Sequence, residues 1–145
     1  MTTIQDIINQ MIYETTIIQE LDSLRREEHR TNKFIDVVIY SLSCLVITQF
    51  LGLTDYNNSR KYEDDLMIDP LNYTEAELSY IEYNREKYKE FRNKVVAHTT
   101  TTEVVAYASV KDLINLISIL RQADVVLCDS GRLKNYLKQM LYLQF

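Results

Sequence analysis

The residues with the most chemical potential lie in the segment Phe91-Arg92-Asn93-Lys94-Val95-Val96-Ala97-His98-Thr99, which holds one of the chain's two histidines. An imidazole titrates near neutrality and can serve as base or acid, each role contributing typically about 10²–10⁴ in rate. A guanidinium aimed at developing negative charge is the other large contribution available without a metal. Upstream, Arg85, Lys89 and Arg92 stand at i, i+4 and i+7. At 100° per residue they fall within about 60° of arc, one basic stripe on a helix. The stripe runs straight into the arginine–histidine segment. The same cations also balance Glu82, Glu86 and Glu90, with Glu82–Arg85 and Glu86–Lys89 as i, i+3 pairs, and suit a helix C-terminus, which is a purely structural role. Lys94 and the Arg30–Lys33 stretch are further candidates to touch phosphates.

Geometry constrains how these groups can act together. Arg92 and His98 are six residues apart, which puts them about 120° from each other on a straight helix. They can share one small substrate only if the helix ends or bends between them, or if a second copy of the helix completes the cleft by two-fold symmetry. Thr99 to Thr102 supply a plausible ending, because χ1 of threonine is crowded against the preceding helical turn. Other chemistries are missing from the sequence. It contains no His-Glu-x-x-His, no paired Cys/His spacing, no EF-hand loop and no nucleophile elbow, so no metal or cofactor is implied.

The elements that must position the segment are helical. Thr3-x-x-Asp6 opens a first helix that continues to about Glu28, with Ile4, Ile7, Ile8, Met11, Ile18 and Leu21 at helical spacing. A second, strongly apolar helix is expected over 32–51, with Gly52 near its stop. The stretch 54–73 reads as a loop; at about 20 residues it is long enough to hide a short helix. Thr74-x-x-Glu77 caps a third helix with Leu78, Ile81, Tyr88, Phe91 and Val95 on or beside its core line, ending near His98. The stretch 104–108 could be extended. Ser109-x-x-Asp112 caps a fourth helix whose core residues are Leu113, Leu116, Ile117 and Leu120. Ser130 and Gly131 then break the chain before a short final helix carrying Leu133, Tyr136, Leu137, Met140 and Leu141.

Composition agrees with this plan. The 145 residues are one domain's worth of chain. Glycine and proline together number 3, against about 12% in average usage. That scarcity argues against hairpin turns, bulges and phosphate-cradling loops, and so against sandwiches, barrels and dinucleotide folds. The expected fold is all-α, an antiparallel up-and-down bundle of four to five helices in a single domain, 1–145. The net charge of −5 does not suit indiscriminate coating of nucleic acid. Cys44 and Cys128 lack a CxxC partner and read as small core residues of a reducing, cytoplasmic compartment. The apolar run from Val37 to Thr48 is about 12 residues, short of the roughly 20 that a membrane span needs. It reads instead as a central helix covered on most sides, in part by a second subunit.

Arg92-Asn93, four intervening residues and His98, at the end of a long helix in a small all-helical chain, resemble the signature of the HEPN superfamily. The string Arg-Asn-Lys-x-x-Ala-His is most similar to its abortive-infection branch. The resemblance implies a HEPN-like, two-fold symmetric homodimer that cleaves RNA without a metal. Such proteins are often toxins or antiviral effectors controlled by a nucleotidyltransferase-type antitoxin. It implies that His98 withdraws or positions the proton of a ribose 2′-hydroxyl, that Arg92 holds the phosphoryl oxygens, and that Asn93 orients the histidine or the phosphate. Arg85, Lys89 and Lys94 are then the RNA-binding candidates. The alternative is a HEPN-like dimer without catalysis, acting as an RNA- or nucleotide-binding or regulatory module.

Overall fold

The computed structural model of the chain describes residues 1–28, 33–56, 66–91, 108–127 and 131–142. Five α-helices succeed one another among them: α1 (Ile4–Glu28), α2 (Lys33–Leu53), α3 (Glu75–Phe91), α4 (Val110–Arg121) and α5 (Arg132–Tyr142). Helix accounts for 81% of the described residues, and none of them is in a strand.

Three capping pairs visible in the sequence set three of the helix starts. Thr3 N donates to Asp6 Oδ2 (2.8 Å) and Asp6 N to Thr3 Oγ1 (3.1 Å) before α1. Thr74 N donates to Glu77 Oε1 (2.8 Å) and Glu77 N to Thr74 Oγ1 (3.2 Å) before α3. Ser109 and Asp112 make the same reciprocal pair, both at 3.1 Å, before α4. Each pair satisfies two backbone donors that the first helical turn would otherwise leave open. The Thr74 backbone bond also holds the Glu77 carboxyl below its ordinary pKa.

The stops are less regular. Gly52 does not end α2; it is helical, and the chain turns only at Thr54. Thr54 N and Oγ1 both return to Phe50 O, at 3.1 and 2.7 Å. The helix therefore closes on a hydroxyl rather than on a left-handed glycine. α4 ends at Gln122, which adopts φ 59°, and Gly131 with φ 70° introduces α5. Within the stretch read as a loop, Pro70–Asn72 form a 3-10 turn capped by the Asp69 side chain on Leu71 N (3.0 Å).

α1 and α2 form an antiparallel hairpin. The Arg25 guanidinium, near the end of α1, meets Asp36 in the first turn of α2 (2.8 Å). Buried Ile8, Met11, Ile18, Leu21 and Leu24 of α1 pack into a core with Ile35, Ile39, Val46, Ile47, Phe50 and Leu51 of α2. α4 adds its whole expected stripe, Leu113, Leu116, Ile117 and Leu120, and α3 adds Ile81 and Tyr88. α3 and α4 run antiparallel: Tyr73 Oη, just before α3, donates to Leu120 O near the end of α4 (2.6 Å). α5 lies against α1, with Lys134 paired to Glu27.

α2 is apolar and long enough to cross a membrane by length and composition alone, and a third of its most apolar stretch is buried within the protein. The expectation of a helix covered on most sides holds for one face. The other face, with Val37 and Leu45, is exposed.

Candidate functional site

α3 is the element that leads to the arginine–histidine segment. Its Thr74–Glu77 cap fixes where it starts, and it runs without a break to Phe91, the residue before Arg92. Arg92, Asn93, Lys94 and His98 lie outside the described residues, as do Val95, Cys128 and the expected extended stretch up to residue 107. The described frame of the site is therefore α3 on the upstream side of that segment and α4 on the downstream side.

α3 buries Ile81, Asn84 and Tyr88, spaced at 0, 3 and 7. The Tyr88 hydroxyl has no hydrogen-bond partner among the described residues. Burial, then the charge of Asp112 and the neighbouring Tyr80, push its phenol up to about 12. It stays protonated at any physiological pH and takes no part in acid–base chemistry there. The influence of Asp112 also locates the last turns of α3 beside the first turn of α4. The points where residues 92–107 leave α3 and rejoin at Ala108 thus lie on the same side of the α3–α4 pair.

The two described members of the basic stripe are placed differently. Lys89 is exposed. Arg85 turns inward, with its side chain only 15% exposed. Its Nη1 donates to Leu51 O and to Thr54 Oγ1, both at 2.6 Å, and its Nη2 meets Asp55 Oδ1 at 3.1 Å. The reason is positional. Arg85 lies one turn beyond Ile81 and so stands about 40° from it on the helix, at the edge of the buried face. Its guanidinium reaches the carbonyl end of α2, where the helix dipole favours a cation. Nothing in the local sequence marks this contact, since it joins residues about thirty positions apart.

A cavity of about 640 Å³ opens where the end of α1 and the starts of α2 and α4 converge. Asp22, Arg25, Arg26, Asp36 and Lys111 supply its charged wall. Arg25 bridges Asp22 (2.6 Å) and Asp36 (2.8 Å), and Arg26 meets Asp22 (3.0 Å). The Asp36 bond, ahead of the Asp22 contacts, raises the Arg25 pKa further and keeps it a fixed charge. Three cations against two carboxylates leave this wall weakly positive, and both carboxylates are already engaged by arginines. Such a wall can attract an anion.

Elsewhere the groups are structural. Cys44 is a free, half-buried thiol whose pKa burial raises, the opposite of the lowering that activates a thiolate. Glu14 is buried in α1, and burial raises its pKa against a smaller lowering from Gln49. Among the described residues no cluster of three or more histidine, cysteine, aspartate or glutamate side chains could hold a metal ion. No family model, curated protein or solved structure matches the chain.

Proposed function

We propose that the chain is a metal-independent endoribonuclease of the HEPN type, a cytoplasmic toxin or antiviral-defence effector that acts as a homodimer. The observation that carries this reading is the sequence Arg92-Asn93-x-x-x-x-His98, which follows directly on the described part of a capped helix in a chain whose described residues are largely helical. His98 takes the proton from a ribose 2′-hydroxyl. The 2′-oxygen attacks the adjacent phosphorus, the bond to the 5′-oxygen of the next nucleotide breaks, and that oxygen takes up a proton from an imidazolium or from water, so that the products carry a 2′,3′-cyclic phosphate and a 5′-hydroxyl. Arg92 holds the phosphoryl oxygens as charge builds on them. Asn93 orients the histidine or the phosphate, and Lys89 and Lys94 contact the backbone of the RNA. Arg85 acts by fixing α3 to α2. A nucleotidyltransferase-type antitoxin is the expected control partner.

A second reading is favoured by one specific observation. With Arg85 committed to α2, the basic stripe on the described part of α3 is reduced to Lys89, on a chain of net charge −5. A HEPN-like dimer that binds RNA or a nucleotide without cleaving it needs no more than this.

Incubation of the purified chain with structured RNA in excess EDTA separates the two. The nuclease yields 2′,3′-cyclic phosphate ends, and His98→Ala and Arg92→Ala each lose at least about 100-fold in rate while circular dichroism stays unchanged. Retention of RNA without cleavage supports the binding module. Cleavage that persists in both variants overturns the assignment of the site.

A further inference from the structure

The outward face of α2 is built to be covered. From Val37 to Thr54 the helix and its stop carry no charged residue. Beyond the first residue, Lys33, the exposed positions are Phe34, Val37, Ser41, Leu45, Thr48 and Gly52, which at 100° per residue occupy an arc of only about 80°. Val37 is 62% and Leu45 42% exposed. They form one stripe about 27 Å long. A solvent-facing helix surface normally carries charges on its polar side, and five uncharged turns in a row mark a contact surface.

We propose that this stripe is the interface with a second copy of the chain, with two α2 helices packed antiparallel about a two-fold axis between Ser41 and Leu45. In that register residue i of one chain faces residue 86 − i of the other. Ser41 then opposes Leu45 and Phe34 opposes Gly52: each large side chain meets a smaller one. A parallel pairing would instead set Leu45 on Leu45 and leave Gly52 facing Gly52. The antiparallel register also brings Lys33 of each chain to the Leu53–Asp55 end of the other, where the Asp55 carboxylate is still 42% exposed. Charges at the two ends of the stripe are therefore complementary, and the helix dipoles oppose. A C2 contact needs this kind of self-complementary patch.

Charge also disfavours a lipid surface as the occupant. Among the described residues of α2 the one cation is Lys33, and the whole chain is acidic, whereas interfacial helices hold anionic lipid through a basic polar face. A helix face of this length and about 10 Å width is small beside the roughly 800 Å² per partner of a standard interface. The dimer it makes is thus one that forms with rising concentration. The inference deepens the ribonuclease reading, which requires a two-fold pair, and rests on it to that extent; a doubled mass that neither single change reduces overturns this interface alone, and a dimer that does not cleave RNA overturns the ribonuclease alone.

The test is light scattering on the full chain after gel filtration, from low to high micromolar concentration. The mass is expected to rise toward twice the monomer's. Gly52→Leu is the sharpest variant, because a side chain added at Gly52 meets nothing within 4 Å of its Cβ in the monomer; it should fold as the parent does and lose the doubled mass. Ser41→Leu should lose it too, by setting leucine on leucine, and the swap Ser41→Leu/Leu45→Ser should restore it. A doubled mass untouched by both single changes, a wild-type chain that stays monomeric throughout, or a monomer that instead binds phospholipid vesicles would each overturn the proposal.

Discussion

The two ends of α2 are each held by an arginine from another helix, and the two arginines live in different surroundings. At the start, Arg25 of α1 grips Asp36 in the first turn, where a carboxylate suits the helix dipole. At the finish, Arg85 of α3 grips Leu51 O, Thr54 Oγ1 and Asp55. The pair at the start leaves both side chains about 40% exposed beside an open cavity. Arg85 is 15% exposed, and two of its three acceptors carry no charge. An exposed ion pair exchanges its partner for water at little cost, whereas a buried guanidinium that satisfies a helix terminus has no substitute. The finish of α2 is therefore the firmer joint, and the start is the one that can adapt around whatever enters the cavity.

The comparison is broken most directly at Arg85. Hydrogen bonds to a charged group contribute about 1.5–3 kcal/mol, so Arg85→Ala should destabilise the chain by about that amount. At a few degrees per kcal/mol for a chain of this size, thermal unfolding by circular dichroism should show a fall of about 4–10 °C. Arg85→Lys should recover only part of it, because an ammonium lacks the planar fork that reaches several acceptors at once. A fall no larger than that of an exposed lysine such as Lys89→Ala would show that the joint is not firm.

How much of this was legible in advance depends on the range of each interaction. The three capping pairs, the core stripe of α4 and the break at Gly131 are local, and residue types at fixed offsets reveal them. Gly52 lies near the stop, as expected, but inside the helix, where a glycine can also sit; Thr54 and Arg85 make the stop itself, and Arg85 comes from about thirty positions away. For the same reason periodicity grouped Arg85 with Lys89. On a bare helix the two share a face, and only the approach of α2 separates them into one inward and one outward side chain. Of the candidate site, the lead-in helix was legible, while Arg92, Asn93, Lys94 and His98 lie outside the described residues. The cavity needs three helix ends to converge, which no single stretch of sequence encodes.

A smaller effect sharpens the picture near the finish of α2. Glu14 lies buried beside Gln49, whose side chain lowers its pKa less than burial raises it. Burial raises its pKa in the folded state above the ordinary value of 4.5. Between those two values the folded chain binds more proton than the unfolded one, so stability falls as pH rises through that window and stays lower above it. Glu14→Gln removes the titration while keeping the shape. It should raise the unfolding temperature at neutral pH, with the gain shrinking as pH drops toward 4.5. A gain that is the same at every pH would show that the carboxyl is not desolvated.

The smallest effect belongs to the start of α2. A double-mutant cycle of Arg25→Ala and Asp36→Ala isolates their coupling from the other bonds of Arg25, including the one to Asp22. With both side chains about 40% exposed, solvent screening should hold the coupling to about 0.2–1 kcal/mol. It should weaken further as salt is raised, since the Debye length contracts from about 10 Å at 0.1 M to about 3 Å at 1 M. Arg85→Ala should keep most of its effect across the same range, because two of its three acceptors are uncharged. The contrast in salt dependence is the informative quantity. If both joints weaken in parallel with salt, both are held by exposed charge; if only the Arg25–Asp36 coupling fades, burial is what separates the two ends of the helix.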